Sequence, residues 1–347
     1  MNPSARLPAK PLVIAHRGAS ALRPEHTLAA YAKGIEDGAD FIEPDLIMTR
    51  DGVLVARHEV ELSRSTDVAE RVEFTAKRTQ KTIDGVLVEG WFGNDFTLAE
   101  LRRLRCREPQ PDLRSRAHDG LYTIPSFDEI IELAERESHR RERLIGIIPE
   151  IKNSTWLHSA GMDPEHAIIA AIERHDYLQR APFAIQSFEV SNLLTLDRLI
   201  GDRPNISLVQ LIGDPEQSPF DQQVQGDSGQ TYASMLSATG LREISHYADV
   251  VAAHVRRILP LIAETGLPGP AATWVADARA LGLQVHAWTL RPENRFLPPA
   301  LRCGEDPAQR CERGCIAEMQ ALIKAGVVGL FTDDPALGRH AVDAIGT

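Results

Sequence analysis

The chain has 347 residues, of which 43% are hydrophobic and 25% charged, with 24 glycines and 22 prolines. This composition is that of an ordinary globular protein and excludes disordered, collagen-like and coiled-coil classes. The 49 acidic residues outnumber the 38 basic ones, and the formal net charge is −11. We therefore expect no nucleic-acid partner, and an anionic substrate would have to be held by local cations.

The sequence carries little information about the compartment. No run approaches the roughly 18 consecutive apolar residues of a membrane span, so we expect no transmembrane segment. Residues 1–10 contain charge but lack the apolar core of a signal peptide. The chain as given therefore predicts a cytoplasmic protein, whereas a mature form whose leader had been removed would be periplasmic. The oligomeric state has no signature in the sequence.

Short apolar runs alternate with helix-like stretches along the chain. The predicted strands are residues 12–15, 41–48, 53–56, 144–148, 183–186, 206–212, 250–253, 284–290 and 329–332. The predicted helices are residues 27–37, 126–137, 164–175, 190–199, 271–281 and 315–325. Such alternation predicts a parallel sheet covered by helices on both faces. Eight or nine such units favour a closed TIM (β/α)₈ barrel of the α/β class.

Two segments interrupt this alternation. Residues 60–122 are charged and rich in Thr, Asp and Arg, and we interpret them as an insertion that caps one barrel face after the second strand region. Residues 291–314 are rich in proline and cysteine and form a second predicted insertion after the seventh strand. We therefore expect a single TIM-barrel domain over residues 1–347.

Three of the four cysteines, Cys303, Cys311 and Cys315, lie close together, and Cys106 is remote in sequence. Two of the three could pair in an oxidising compartment, or all three could stay reduced. A zinc site is less favoured, because no histidine lies nearby at the spacing of a zinc finger.

Polar side chains recur at the carboxyl ends of the predicted strands, where the active sites of TIM barrels form. They are His16 and Arg17, Glu43 and Asp45, His58 and Glu59, Glu150 and Lys152, Gln186 and Ser187, Trp288, and Asp333. One such residue alone would indicate nothing. Their recurrence at the same end of successive strands indicates one shared site.

The chemistry of these residues is that of phosphodiester cleavage. Three convergent carboxylates, Glu43, Asp45 and Glu150, would repel one another unless a divalent cation relieved them, and oxygen ligands suit Ca²⁺ or Mg²⁺. His16 and His58 can act as acid and base near neutral pH. Arg17 and Lys152 offer positive charge to a phosphate. Together these groups predict metal-assisted hydrolysis.

Each of these features has a structural interpretation when it stands alone. A Glu-x-Asp pair on a strand is often a salt-bridged edge, and a histidine after a strand is often a structural residue. We interpret His26 in this structural way, and we assign neither His254 nor His286 to the site, although both lie on strand-like runs.

At His16 the sequence resembles a known family. The segment from His16 to Thr27, with Arg17, Gly18 and Pro24-Glu25-His26, resembles the opening motif of the glycerophosphodiester phosphodiesterase family. The later family motifs follow in order as Glu43-Pro44-Asp45, Met48 to Gly52, His58-Glu59, Glu150-Ile151-Lys152, Gln186-Ser187-Phe188, Trp288-Thr289 and Gly329 to Asp333. The likeness extends from Leu12 to Pro335, and the Pro-Glu-His-Thr variant and long insertion resemble the bacterial periplasmic-type branch. Glu59 replaces the usual Asp, and His26 the commoner Asn.

The resemblance implies a TIM barrel that hydrolyses glycerophosphodiesters, such as glycerophosphocholine, to an alcohol and sn-glycerol 3-phosphate. It assigns one divalent cation, with Ca²⁺ favoured and Mg²⁺ as the alternative, to Glu43, Asp45 and Glu150. The implied acid–base pair is His16 and His58, the implied phosphate contacts are Arg17 and Lys152, and the implied glycerol contacts are Phe188 and Trp288. The alternatives are a lysophospholipase D, which needs an apolar groove in the cap, and a barrel that binds phosphodiesters without catalysis.

Overall fold

The computed structural model describes residues 8, 10–226 and 229–345, and its strands close into a parallel barrel. The strands are β1 (Leu12–His16), β2 (Phe41–Glu43), β3 (Asp45–Met48), β4 (Leu54–Ala56), β5 (Thr79–Ile83), β6 (Val86–Gly90), β7 (Gly146–Ile147), β8 (Glu150–Ile151), β9 (Phe183–Ser187), β10 (Ile206–Ile212), β11 (Val250–His254), β12 (Gln284–Leu290) and β13 (Gly329–Thr332). The sheet closes because β1 pairs with both β2 and β13, and β9 pairs with β7, β8 and β10. The predicted TIM barrel is confirmed.

Helices alternate with these strands and cover the outside of the barrel. They are α1 (Leu28–Glu36), α2 (Leu98–Leu101), α3 (Phe127–Arg141), α4 (Ser154–Ser159), α5 (Pro164–Arg174), α6 (Val190–Ile200), α7 (Phe220–Gln225), α8 (Tyr232–Met235), α9 (Ala238–Ile244), α10 (Val255–Ile258), α11 (Thr273–Ala280), α12 (Glu312–Lys324) and α13 (Pro335–Asp343). The sequence did not predict α13 or the short helices α2, α4 and α7 to α10. Most of these have only one or two turns, too few for a periodic pattern to stand out.

Two barrel strands are interrupted at proline. Pro44 separates β2 from β3, and Pro149 lies between β7 and β8. Proline has no N–H to donate to a neighbouring strand, so the ladder pauses there. Glu43, Asp45 and Glu150 flank these two breaks, at the carboxyl-terminal end of the barrel.

The prediction of a barrel strand at residues 53–56 is wrong. This segment is β4, which pairs antiparallel with β3, so it is the return strand of a hairpin. The turn between the two strands is closed by Thr49, whose hydroxyl accepts from the Val53 N–H and donates to Asp51. Gly52 supplies a positive φ of 78° in this turn, which other residues adopt at a cost.

The core has two layers, because the barrel strands are apolar on both faces. Inside the barrel lies a cluster made of Ile14, Ile148, Ala184, Val209, Leu211, Val250, Ala252 and Phe331. The larger cluster fills the space between the strands and the surrounding helices. This burial on both faces explains why the strands have continuous apolar runs rather than alternating ones.

The insertion at residues 60–122 is anchored through a buried arginine. Arg57 is 1% exposed, and its guanidinium donates to the backbone carbonyls of Glu25 and His26 at 3.1 and 2.8 Å. It also donates to the Ser65 hydroxyl at 3.2 Å. The insertion contains the antiparallel hairpin of β5 and β6. The organisation of residues 1–347 as a single domain stays a prediction, and its two termini lie outside the described residues.

In the second insertion Cys303 and Cys311 form a disulfide, whereas Cys106 and Cys315 are buried free thiols. The sequence left open whether two of the three clustered cysteines pair. The structure has the pair Cys303–Cys311, and a disulfide cannot also ligate zinc. None of the described helices has both the length and the apolar character that crossing a membrane requires. The predicted lack of a signal peptide concerns residues 1–10, which lie mostly outside the described residues, and it stays a prediction.

His286 is a polar exception beside the inner core. It is 4% exposed, its ring lies 6.2 Å from that of Phe331, and neither ring nitrogen has a hydrogen-bond partner among the described residues. Burial lowers the pKa of His286 from 6.5 to about 3. The ring is therefore neutral in the folded protein at physiological pH.

His286 should make the protein sensitive to acid. The unfolded chain takes up a proton at this residue near its usual pKa of about 6.5, but the folded chain does not until about pH 3. Its contribution to stability is therefore complete above pH 6.5 and is lost as the pH falls, by up to about 1.4 kcal/mol per pH unit. We expect the free energy of unfolding of His286→Leu to fall less steeply between pH 6.5 and 4 than that of the wild type.

Urea unfolding at several pH values would measure this slope, with His340→Leu as a matched control for loss of an exposed histidine. Equal slopes for wild type and His286→Leu would contradict the prediction.

Candidate active site

The register of the strands places the predicted site residues next to one another. His16 on β1 is level with Glu43 on β2, and Asp45 on β3 is level with Glu150 on β8. Glu150 is level in turn with Gln186 on β9, whose amide donates to Glu43 at 2.9 Å. His16 and Glu43 end their strands, whereas Asp45 and Glu150 begin β3 and β8 directly after the proline breaks. The structure brings all nine predicted site residues to this barrel mouth.

The three carboxylates form a buried cluster that fits a divalent cation. Each of Glu43, Asp45 and Glu150 offers an oxygen, and these oxygens lie within 4.8 Å of one another. Burial together with Asp45 raises the pKa of Glu43 well above its usual range, and burial raises that of Glu150 to about 8. Burial alone would also raise the pKa of Asp45, but Lys152 and His26 hold it well below its usual range. Oxygen ligands of this kind suit Ca²⁺ or Mg²⁺.

Two cations border the carboxylate cluster. Arg17 donates to Glu25 at 2.8 Å, and its Nε lies 3.3 Å from Asp45. Lys152 Nζ lies 2.7 Å from Glu150 and 4.0 Å from Asp45. The two cations thus lie near different oxygens of Asp45, Arg17 near Oδ2 and Lys152 near Oδ1.

The backbone of Arg17 fixes its place. Its φ is 57°, an unusual value for a residue other than glycine, and its N–H donates to a carboxylate oxygen of Glu43 at 2.8 Å. The sharp turn after β1 therefore ties the Arg17 backbone to Glu43, while its guanidinium contacts Glu25 and Asp45.

His16 is held by an ionic network. Its Nδ1 lies 2.6 Å from Asp333, which also accepts from Arg114 at 2.5 Å and from Arg291 at 3.0 Å. Burial opposes the ionisation of Asp333, but these two arginines and His16 hold its pKa well below its usual range. An ionised Asp333 accepts the Nδ1 proton, so in the neutral ring Nε2 carries the free lone pair. Burial and Arg17 lower the pKa of His16 to about 4.

Both insertions contribute to this network. Arg114 belongs to the first insertion, and Arg291 and Glu293 belong to the second. Arg114 donates to Glu293 at 2.8 Å, and both side chains are buried. The sequence analysis placed Asp333 at a strand end but assigned it no role. It gave no signal for Arg114, because the Arg114–Asp333 contact joins residues far apart in the chain.

His58 follows the return strand β4 and faces the same chamber. Its Nδ1 lies 3.2 Å from Glu59, which accepts a hydrogen bond from Arg64 at 3.0 Å. The Nδ1 contact lacks hydrogen-bond geometry. Burial, with Arg17 and Lys152, lowers the pKa of His58 to about 4. His58 is therefore neutral near pH 7, the form that accepts a proton.

His26 has a closer relation to the site than its structural interpretation suggested. It is fully buried, with Nε2 2.8 Å from Asp45 and Nδ1 2.8 Å from the Tyr31 hydroxyl. Because Asp45 is ionised, Nε2 donates to it and Nδ1 accepts from Tyr31. His26 thereby orients a predicted metal ligand, and its place in the opening motif was the one available signal for this role.

Aromatic rings line one wall of the mouth. Phe188 and Trp288 pack edge to face with their ring centroids 5.9 Å apart. They border a small chamber of ≈ 120 Å³ that also contacts His16, His58 and Glu43. Apolar walls on one side and charged groups on the other suit a small ligand with an apolar face and an anionic group. The roles of the nine residues stay predictions.

Solved structures of similar fold support the architecture. A protein from Silicibacter pomeroyi described as a glycerophosphoryl diester phosphodiesterase superimposes with a TM-score of 0.65 at 20% identity, over 99% of this chain and 97% of the other. An Oleispira antarctica phosphodiesterase, solved with the product sn-glycerol-3-phosphate, gives a TM-score of 0.61 at 20% identity, over 96% and 97% of the two chains. At these identities the likeness concerns the fold.

Comparison with proteins of known sequence shows the family as well as the fold. A glycerophosphodiester phosphodiesterase of Arabidopsis thaliana is 32% identical over 342 residues, covering 93% of this chain and 84% of the relative. One from Haemophilus influenzae is 26% identical over 96% of this chain and 90% of the relative. Residues 16–337 match the model of the glycerophosphoryl diester phosphodiesterase family. The chain therefore belongs to the glycerophosphoryl diester phosphodiesterase family, a family of phosphoric diester hydrolases.

Proposed function

We propose that this enzyme hydrolyses glycerophosphodiesters to an alcohol and sn-glycerol 3-phosphate, with His16 and His58 as its acid–base pair. The observation that carries the proposal is the meeting of three carboxylates, two histidines and two cations at one barrel mouth. Membership of the family supports the substrate class.

We assign a separate place in the site to each part of the substrate. The phosphate would lie between Arg17 and Lys152, which both contact the carboxylate cluster. The glycerol would occupy the small chamber, with its carbon chain against Phe188 and Trp288. Holding the reacting groups in this way removes much of the entropic barrier to the reaction.

Glu43, Asp45 and Glu150 would hold the single divalent cation, which when bound polarises phosphoryl oxygens and stabilises the charge that develops on them. We favour Ca²⁺ and keep Mg²⁺ as the alternative, since flexible carboxylate ligands suit both ions.

The two histidines would move the protons. One neutral ring accepts a proton from the attacking group, which is either water or the 2-hydroxyl of the glycerol. Attack by the 2-hydroxyl gives a cyclic phosphate, which a water molecule then opens to sn-glycerol 3-phosphate. The other ring, in its protonated form, donates a proton to the alcohol oxygen as its bond to phosphorus breaks. Positive charge on Arg17 and Lys152 lowers the pKa of His58, and the monoanionic phosphodiester placed between them would offset this effect.

We also place the protein in the periplasmic-type branch. The Cys303–Cys311 disulfide supports this placement, because structural disulfides persist in oxidising compartments. The alternatives of a lysophospholipase D and of a non-catalytic barrel remain outcomes of the assay below.

The most direct assay follows both products. Purified enzyme with Ca²⁺ or Mg²⁺ should release sn-glycerol 3-phosphate and choline from glycerophosphocholine, and excess chelator should abolish the release until the ion is restored. Choline release from lysophosphatidylcholine alone would favour the lysophospholipase D. Full activity in chelator would contradict the metal assignment, and no hydrolysis of any diester would leave only the binding barrel.

The histidine variants test the proton transfers. His16→Ala and His58→Ala should each lower kcat about 10²- to 10⁴-fold, since each removes one acid–base group. The folded state should change little, because both side chains border the chamber rather than the core. Circular dichroism and thermal unfolding would check this. A near-wild-type kcat for either stable variant would remove that residue from the mechanism.

Asp333 tests the orientation of His16. Asp333→Asn keeps the shape of the side chain but no longer enforces a proton on Nδ1, so kcat should fall by about 10²-fold with little change in KM. Glu293→Gln is the matched control, because it removes a carboxylate partner of Arg114 without a contact to His16. Equal effects of the two variants on kcat would indicate that the network only stabilises the fold.

A further inference from the structure

A second, larger cavity of ≈ 730 Å³ adjoins the catalytic chamber. The two share Glu150, Phe188 and Trp288, and Lys152 lines the larger one. They therefore meet where the proposed phosphate would lie. With the glycerol in the small chamber, the alcohol on the other side of the scissile bond must extend into the larger cavity.

Three carboxylates line this cavity, and none of them forms a salt bridge among the described residues. They are Asp84, Glu189 and Asp214. Lys152, the basic residue of the lining, is already paired with Glu150 at 2.7 Å. The lining thus holds four carboxyl groups, counting Glu150, and one cation, although the enzyme acts on an anionic phosphodiester.

The first insertion brings Asp84 into this position. Asp84 lies in the turn between β5 and β6, with a φ of 47°. One carboxylate oxygen accepts from the Asn153 amide at 2.6 Å, and the other is buried without a hydrogen-bond partner. Burial raises the pKa of Asp84 above its usual value. An unpaired buried oxygen of this kind is costly unless a ligand satisfies it.

Glu189 lies on another wall of the same cavity. It accepts hydrogen bonds from the N–H and the hydroxyl of Thr155, which are neutral donors. Burial raises the pKa of Glu189 to about 7. Asp214 is exposed at the rim. A cation that entered the cavity would offset the charge of these carboxylates and would favour the ionised form of Glu189.

The remaining wall is aromatic. Phe188 packs edge to face against Trp288 and against Tyr232, with centroid distances of 5.9 and 6.2 Å. The Tyr232 hydroxyl donates to the backbone carbonyl of Phe188 at 3.1 Å, and this hydrogen bond holds the Tyr232 ring in place. Aromatic faces attract ammonium and quaternary ammonium groups, and nearby carboxylates add to that attraction.

We propose that this cavity is a headgroup subsite that selects glycerophosphodiesters whose alcohol is a cationic amino alcohol. The subsite consists of Asp84, Glu189, Asp214, Phe188 and Tyr232. This inference rests on the proposed hydrolysis of glycerophosphodiesters. A neutral polyol would leave the carboxylates without a counter-charge, and an anionic alcohol would be repelled by them.

The test compares kcat/KM for glycerophosphocholine and glycerophosphoethanolamine with that for glycerophosphoglycerol, whose alcohol is neutral. We expect the wild type to prefer the two cationic diesters by about tenfold or more. Asp84→Asn keeps the size of the side chain and its contact with Asn153, and it should reduce this preference by about threefold to tenfold. Asp84→Asn combined with Asp214→Asn should reduce it further.

The readout is the ratio of kcat/KM for two substrates measured in one enzyme preparation. A loss of folded enzyme lowers both values equally and therefore cancels. Asp202→Asn, an exposed aspartate that precedes β10 at the opposite end of the barrel, is the matched control and should keep the wild-type ratio. A wild-type ratio near one, or a ratio unchanged in both variants, would overturn the subsite while leaving the hydrolase intact. Failure to hydrolyse all three diesters would instead contradict the proposed function.

Discussion

The burial of three carboxylates at one point dominates this structure. Carboxylate oxygens of Glu43, Asp45 and Glu150 lie within 4.8 Å of one another beside the two proline breaks at the barrel mouth, where their mutual repulsion is strong. Arg17 and Lys152 offset part of this charge, and His26 supports Asp45 with a hydrogen bond. A divalent cation would neutralise the negative charge that remains. The strand breaks at proline and the tight turn after β1 are the local means by which the chain holds these groups together.

The two insertions complete the site that the barrel begins. Arg114 from the first insertion joins Glu293 from the second and holds Asp333, which in turn orients His16. The first insertion also carries Asp84 to the cavity beyond the phosphate position. The barrel strands therefore supply the proposed chemistry, and the insertions supply orientation and, in our proposal, selectivity. Variation in such segments can change the substrate without changing the reaction.

The barrel and most of its site could be predicted from the sequence because both depend on local patterns. Continuous apolar strands that end in polar residues reveal the fold and the mouth together, as at Glu43 and Asp45. The return strand β4 was misassigned because an apolar run does not tell parallel from antiparallel pairing. The roles of Arg114 and His26 depend on contacts between distant or buried side chains, which a linear pattern does not encode.

The most direct test of this account is calorimetric titration of metal-depleted enzyme with Ca²⁺ and with Mg²⁺. The carboxylate cluster predicts one ion bound per chain for at least one of the two metals. Glu43→Gln and Glu150→Gln keep the shape of the ligands but remove a charge, so each should weaken or abolish the binding. Wild-type enzyme that binds neither ion, or variants that bind as tightly as the wild type, would contradict the central claim.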